Sequence, residues 1–159
     1  MKADYFSPDT QEFLMLLDKH QVKYLIVGGE AVIYYGYPRL TGDIDIFYSV
    51  NNENVYLLYD ALLAFWDNDI PGLKSPEELQ SPGYVIQFGV PPNRIDLLND
   101  IEGVSFVEAW DHRSEESITV KRESVPIYFI SLSDLIVNKR RTGRNKDLED
   151  LKYLESIES

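Results

Sequence analysis

The segment from position 23 to 48 constrains the fold more than any other part of the chain. Lys23–Val27 is almost entirely apolar and predicts a buried strand, which Gly28-Gly29 ends. Glu30–Tyr35 then favours a short helix. Asp43–Tyr48 begins with strictly alternating polar and apolar residues, the pattern of a half-buried strand. This order of strand, helix and strand indicates a mixed α/β fold.

The rest of the chain continues this interleaving of helices and strands. Ser7 precedes Pro8, which predicts an N-cap and a helix over Pro8–His20. The stretch from 66 to 83 holds three prolines and is the least regular, with one short helix predicted from Ser75. The other predicted helices are Asn54–Phe65, Val104–Trp110, Ser131–Arg141 and Lys146–Ile157. The last of these helices is predicted to pack through Leu148, Leu151 and Leu154. The other predicted strands are Tyr84–Phe88, Arg94–Leu98, Ser117–Val120 and Val125–Ile130.

The composition excludes several classes of function. The 159 residues fit a single domain over positions 1–159. A net charge of -12 repels a nucleic-acid backbone, so we expect no extended nucleic-acid footprint. The chain has no cysteine, which excludes thiolate catalysis and cysteine-bound metals, and two histidines are too few for a histidine-rich metal centre.

We expect a cytoplasmic protein without contact to a membrane. The N-terminus, from Met1 to Tyr5, lacks the basic start and apolar core of a secretory signal. No apolar run approaches the ~20 residues that a membrane-spanning helix needs.

Carboxylates on the predicted strands are the main candidates for chemistry. Residues two apart on a strand share a face, so Asp43 and Asp45 project together, roughly 7 Å apart at the backbone. At an effective dielectric near 20, two charges about 4 Å apart repel by about 4 kcal/mol. A hard divalent cation such as Mg²⁺ removes that repulsion. Asp96 is a third carboxylate on a strand, and it joins the other two if its strand pairs beside theirs.

Three such carboxylates can hold two metal ions roughly 3.5–4 Å apart, as enzymes of phosphoryl chemistry do. The turn at Gly28-Gly29 opens a helix whose free N–H groups suit a phosphate, and no P-loop or Rossmann motif is present. Each feature also has an ordinary interpretation. The Asp-x-Asp pair can be a turn cap or a solvated edge, the glycines a tight turn, and Asp96 a surface residue or a salt-bridge partner.

Three motifs together resemble the nucleotidyltransferase superfamily, which has the DNA polymerase beta-like fold. They are residues 27–29 (Val-Gly-Gly), 39–46 (Arg-Leu-Thr-Gly-Asp-Ile-Asp-Ile) and 95–97 (Ile-Asp-Leu). Within it, Gly-Gly-Glu-Ala-Val at 28–32 is most similar to small bacterial nucleotidyltransferases of the abortive-infection and toxin–antitoxin type. The resemblance implies a short mixed sheet with helices packed mainly on one side.

The resemblance also implies roles for individual residues. Asp43 and Asp45 would bind two Mg²⁺ ions, with Mn²⁺ as the alternative, and Asp96 would bind the catalytic ion and help deprotonate the attacking hydroxyl. Gly28 and Gly29 would hold the β- and γ-phosphates. The remaining nucleotide-binding candidates are Arg39, Thr41 and Lys139, and Lys139 would neutralise the charge of the triphosphate. The alternative is that a solvated basic helix end accounts for the cations Lys139, Arg140, Arg141, Arg144 and Lys146. The alternative for Asp147 is a helix cap.

The reaction implied is transfer of a nucleoside monophosphate from a triphosphate such as ATP to a hydroxyl, with release of pyrophosphate. The acceptor stays open between a small molecule, a protein hydroxyl and an RNA end. Because the chain ends soon after the core, we expect a second copy or a cognate partner protein to complete the acceptor side. The alternatives are a non-catalytic nucleotide-binding or regulatory module of the same fold, and a structural domain without a ligand.

Overall fold

A six-stranded mixed sheet forms the centre of the fold in the computed structural model, which describes residues 5–158. The strands are β1 Tyr24–Val27, β2 Asp43–Tyr48, β3 Val85–Phe88, β4 Arg94–Leu98, β5 Ser114–Val120 and β6 Glu123–Phe129, in the order β3-β4-β2-β1-β6-β5. The helices are α1 Pro8–Lys19, α2 Gly28–Tyr34, α3 Asn52–Phe65, α4 Phe106–Asp111, α5 Leu132–Thr142 and α6 Asn145–Glu158, with a short 3-10 helix at Pro76–Gln80. The predicted mixed α/β fold is confirmed.

The expectation about secretory signals was drawn from Met1 to Tyr5, and four of these residues, Met1 to Asp4, lie outside the described residues. Within residues 5–158, no helix combines the length and the apolar character needed to cross a membrane.

The register of the central strands decides which side chains meet. β1 and β2 are antiparallel, with Val27 opposite Asp45. β2 and β4 are parallel, with Asp43 beside Arg94 and Asp45 beside Asp96. Residues paired in register point to the same face of a sheet, so these four polar side chains form one group at one edge of the central strands.

The core holds this edge in place. All four residues of β1 are buried, and Ile44 and Ile46 of β2 are buried on the face opposite the aspartates. Fully buried Phe13 and Leu17 of α1 belong to the same core. Each such side chain contributes about 1.5–3 kcal/mol relative to an exposed one, so the strands that carry the polar group are rigidly supported.

Two helices begin with hydrogen-bonded caps, and the first of them confirms the N-cap predicted at Ser7. The Oγ of Ser7 accepts from the backbone N–H of Thr10 at 3.2 Å, at the start of α1. The Oγ of Ser131 accepts from the backbone N–H of Asp134 at 3.1 Å, at the start of α5. Both bonds satisfy N–H groups that the first turn of a helix leaves without a partner.

The prediction for the inner face of α6 is partly wrong. Leu148 is 52% exposed, whereas Asp147 and Asp150 are buried at 0% and 1% exposure. These two aspartates share a face with buried Leu154, at the spacing of three and four residues that aligns side chains along a helix. Two carboxylates therefore point into the protein, and they need cations there.

Candidate active site

The three predicted carboxylates meet at one place. One carboxylate oxygen from each of Asp43, Asp45 and Asp96 lies within 4.8 Å of the others. The parallel pairing of β2 and β4 produces this convergence, because it sets Asp45 directly beside Asp96. The conditional prediction that β4 brings Asp96 next to the other two aspartates is confirmed. A group of three carboxylates at this separation is able to coordinate a divalent cation.

Glycine is required at position 28 by close approach to this group. Gly28 has a φ of +63°, and a Cβ atom there would collide with the carboxylate of Asp45. At Gly29 a Cβ would lie 2.7 Å from the Thr41 hydroxyl and 3.2 Å from Nη2 of Arg39. The backbone at the start of α2 thus passes directly against the carboxylates and the loop that precedes them. A side chain at either glycine would fill this space.

Arg94 is the cation that contacts the carboxylates. Its Nη2 donates to Oδ2 of Asp43 at 2.6 Å, and its Nε donates to Oδ1 of Asp96 at 2.9 Å. The pKa of Arg94 is raised by its hydrogen bonds to these aspartates. Gln87 on β3 also donates to Asp96, at 3.2 Å. Asp43 and Asp96 are therefore both paired with a guanidinium, whereas no hydrogen bond or ion pair among the described residues joins Arg94 to Asp45.

The proton affinity of Asp45 is strongly raised. Its pKa is raised to about 7, mainly by burial and also by the negative charges of Asp43 and Asp96 and by a hydrogen bond with Asp96. The positive charge of Lys146 opposes this shift. Asp45 thus binds a proton near neutral pH unless another cation approaches, which is the behaviour expected of a metal ligand without its metal.

A second ionic group lies beneath the site and joins α5 to α6. The Lys139 ammonium lies 3.1 Å from Oδ1 of Asp147 and 3.1 Å from Oδ2 of Asp150. Arg39 donates from Nη2 to Asp150 at 3.0 Å. Lys139 is only 3% exposed, so the alternative of a solvated helix end is wrong for this residue. The charge of Lys139 is already compensated by two carboxylates of α6. Arg39 bonds one of these carboxylates, that of Asp150, and so links the loop before β2 to α6.

The predicted cap role of Asp147 is confirmed and extended. Its Oδ2 accepts from the backbone N–H of Arg144 at 3.2 Å, as the third residue of a helix does in a capping box. The Arg144 side chain adds a hydrogen bond at 2.7 Å. Although burial raises the pKa of Asp147, hydrogen bonds from Arg144, Thr142 and Lys139 hold it below the ordinary range for aspartate.

All the predicted site residues line a single cleft of about 240 Å³. Three further residues of this cleft are cationic and had no predicted site role: Arg94, Arg144 and Lys146. Arg94 could have been found by its position two residues before Asp96 on the same strand, which puts both side chains on one face. For Lys146 the only signal was its place immediately before Asp147.

The mixed sheet, the glycine pair and the three converging carboxylates define the chain as a protein of the nucleotidyltransferase superfamily. More narrowly, it belongs to the family described as "Nucleotidyltransferase of unknown function (DUF6036)", whose model matches residues 8–158. None of the curated proteins compared with the chain matches it.

Proposed function

We propose that this protein is a metal-dependent enzyme that transfers a nucleoside monophosphate from a nucleoside triphosphate to a hydroxyl, releasing pyrophosphate. The observation that carries the proposal is the convergence of Asp43, Asp45 and Asp96 within 4.8 Å at the wall of a cleft. Membership of a nucleotidyltransferase family supports the same class of reaction.

The donor set fits Mg²⁺, with Mn²⁺ as the alternative. All three side chains offer carboxylate oxygens, the hard ligands that these ions prefer, and Gly28 keeps the space against Asp45 free of a side chain. In this proposal Asp43 and Asp45 would hold two ions, and Asp96 would hold one of them. When bound, such ions neutralise charge on the transferring phosphate and make a nearby hydroxyl more acidic.

The residues of the chain then position the substrates and move one proton. A carboxylate oxygen of Asp96 accepts the proton of the attacking hydroxyl. The backbone N–H groups of Gly28 and Gly29 face the β- and γ-phosphates, and the Thr41 hydroxyl, which contacts Asp43 at 3.4 Å, orients that carboxylate. Such positioning and charge stabilisation are the main contributions that phosphoryl-type transfer requires of a protein.

Cations on the opposite wall of the cleft balance the triphosphate. Arg144 and Lys146 are both exposed and line the cleft, Arg144 while it is bonded to Asp147, so direct phosphate contact falls to these two side chains. Lys139 and Arg39 line the same cleft but are less exposed, and both are paired with the aspartates of α6. Their contribution is to add positive charge beneath the phosphates and to fix the position of this wall.

The acceptor that we favour is a small alcohol or a protein hydroxyl. The acidic net charge of -12 disfavours an extended polyanion, although Arg144 and Lys146 leave a single RNA end as a substrate to test. We retain a second copy of the chain or a cognate partner protein, as in toxin–antitoxin pairs, as the element that completes the acceptor side.

The proposal is tested by binding and turnover in parallel. Calorimetry with MgATP and MgGTP measures triphosphate binding, and pyrophosphate release is measured with alcohols, protein and RNA as acceptors. We expect Asp45→Asn and Asp96→Asn to abolish release, and Asp60→Asn, on the exposed surface of α3, to leave it unchanged. Triphosphate binding without release from any acceptor would instead identify the non-catalytic module. Absence of both binding and release would reject the proposal.

A further inference from the structure

The position of Arg94 is dictated by the same register that assembles the carboxylates. Arg94 is the residue of β4 that pairs with Asp43 of β2, and it precedes Asp96 by two residues on its own strand. Both relations put the Arg94 side chain on the face that carries the three aspartates. The site is therefore built as an array of three carboxylates and one guanidinium.

The guanidinium uses the oxygens that a metal ion would need. Arg94 bonds both oxygens of Asp96, with Nε to Oδ1 at 2.9 Å and Nη2 to Oδ2 at 3.2 Å. The same Nη2 reaches Oδ2 of Asp43 at 2.6 Å. This is a forked contact to one carboxylate and a bridge to a second, the geometry for which arginine is better suited than lysine.

A guanidinium bonded to these oxygens competes with a divalent cation for them. Arg94 occupies lone pairs on both oxygens of Asp96 and on Oδ2 of Asp43, and the two positive charges repel at contact distance. The Arg94 side chain is 30% exposed at the cleft, so it has an open path away from the carboxylates. Movement of one surface-accessible side chain is therefore sufficient to vacate Asp43 and Asp96.

We propose that Arg94 is a built-in counterion that occupies the cation position between Asp43 and Asp96, and that a divalent metal ion binds by displacing it. This inference rests on the proposed function, because it takes the three aspartates as the metal ligands. It makes Arg94 a determinant of metal affinity. In the metal-free protein Arg94 stabilises the carboxylate group, and in the metal-bound protein its side chain leaves these oxygens.

The experiment measures Mn²⁺ binding without nucleotide, from the electron paramagnetic resonance signal of free Mn²⁺. We expect Arg94→Gln to tighten Mn²⁺ binding by roughly ten- to a hundredfold, the range over which one neighbouring group alters metal affinity. Arg94→Lys keeps the charge but loses the fork, so its affinity should lie between those of Arg94→Gln and the unaltered protein. Arg140→Gln is the matched control, since Arg140 pairs with Glu155 at 2.6 Å on the exposed surface of α5 and α6.

Thermal unfolding provides a second readout. Without metal, Arg94→Gln should unfold at a lower temperature than the unaltered protein. Added Mn²⁺ should raise the unfolding temperature of Arg94→Gln by more than it raises that of the unaltered protein. If Arg94→Gln does not fold, tighter Mn²⁺ binding by Arg94→Lys supports the inference, and equal or weaker binding overturns it.

The outcomes separate this inference from the proposed function. If Mn²⁺ binds in a manner that depends on Asp45, and Arg94→Gln binds it equally or more weakly, the counterion role is overturned while the metal site stands. If neither protein binds Mn²⁺ through Asp45, the metal site and the proposed function are rejected together.

Discussion

Replacing Asp45 with asparagine should make the metal-free protein more stable at pH 8. Ionised Asp45 lies among two further carboxylates, and asparagine removes one negative charge with little change of shape. An asparagine NH₂ group is also able to donate a hydrogen bond to Asp96, the residue that shares a hydrogen bond with Asp45. A residue that the proposed function makes a metal ligand is in this way unfavourable for the fold when no metal is bound.

The magnitude follows from the pKa of Asp45, which is raised from 3.8 to about 7. A difference of one in pKa corresponds to about 1.4 kcal/mol, so ionising Asp45 costs up to about 4 kcal/mol more in the folded protein than in the unfolded chain. Because the folded pKa is the higher one, this destabilisation is absent below about pH 4, grows as the pH rises, and is complete above about pH 7.

Urea unfolding followed by fluorescence of the two tryptophans, with EDTA present, measures the effect. We expect Asp45→Asn to gain about 2–4 kcal/mol at pH 8, or roughly 5–15 °C in unfolding temperature, and almost nothing at pH 4. Mn²⁺ should stabilise the unaltered protein and leave the variant unchanged. Asp60→Asn should match the unaltered protein throughout. A variant that is no more stable than the unaltered protein at pH 8 would refute the conclusion that ionised Asp45 is destabilised by burial and by the neighbouring carboxylates.

Two further changes probe the surroundings of the site. Lys139→Met should lower the free energy of unfolding by about 3–5 kcal/mol in urea, because it leaves two buried carboxylates with one fewer cation, whereas exposed Arg140→Met should cost less than about 1 kcal/mol. Equal losses would contradict a structural role for Lys139. Gly28→Ala should weaken Mn²⁺ binding, because the added Cβ atom collides with Asp45. Gly72→Ala is the matched control, since Gly72 has a similar φ of +75° but open space around it. This control carries the same backbone strain and should bind Mn²⁺ normally. Equal weakening in both would assign the effect to backbone strain.

Local sequence patterns were sufficient to predict the main helices and strands and two of the three carboxylates of the site. The alternation over β2 predicted that Asp43 and Asp45 share a face opposite buried Ile44 and Ile46, since side-chain direction in a strand depends only on sequence spacing. The caps at Ser7 and Ser131 were predictable for the same reason, because a cap involves residues three positions apart.

Local patterns failed where the partner of a residue lies far along the chain. The apolar residues of α6 predicted an inner face that includes Leu148, but the helix instead buries Asp147 and Asp150. Helical spacing tells which residues share a face. It does not tell whether that face meets apolar side chains or, as here, the ammonium of Lys139.

By itself, the sequence determined the alternating strand with its two aspartates, the glycine pair that ends β1, and the exclusion of cysteine and histidine metal centres. Only the tertiary structure decided that Asp96 joins the two aspartates and that Arg94 bridges Asp43 and Asp96. The same holds for Arg39, which pairs with Asp150, 111 positions away. The physical reason is that strand pairing and helix packing are selected by burial over the whole chain. Charges that meet as a result have no common local signal.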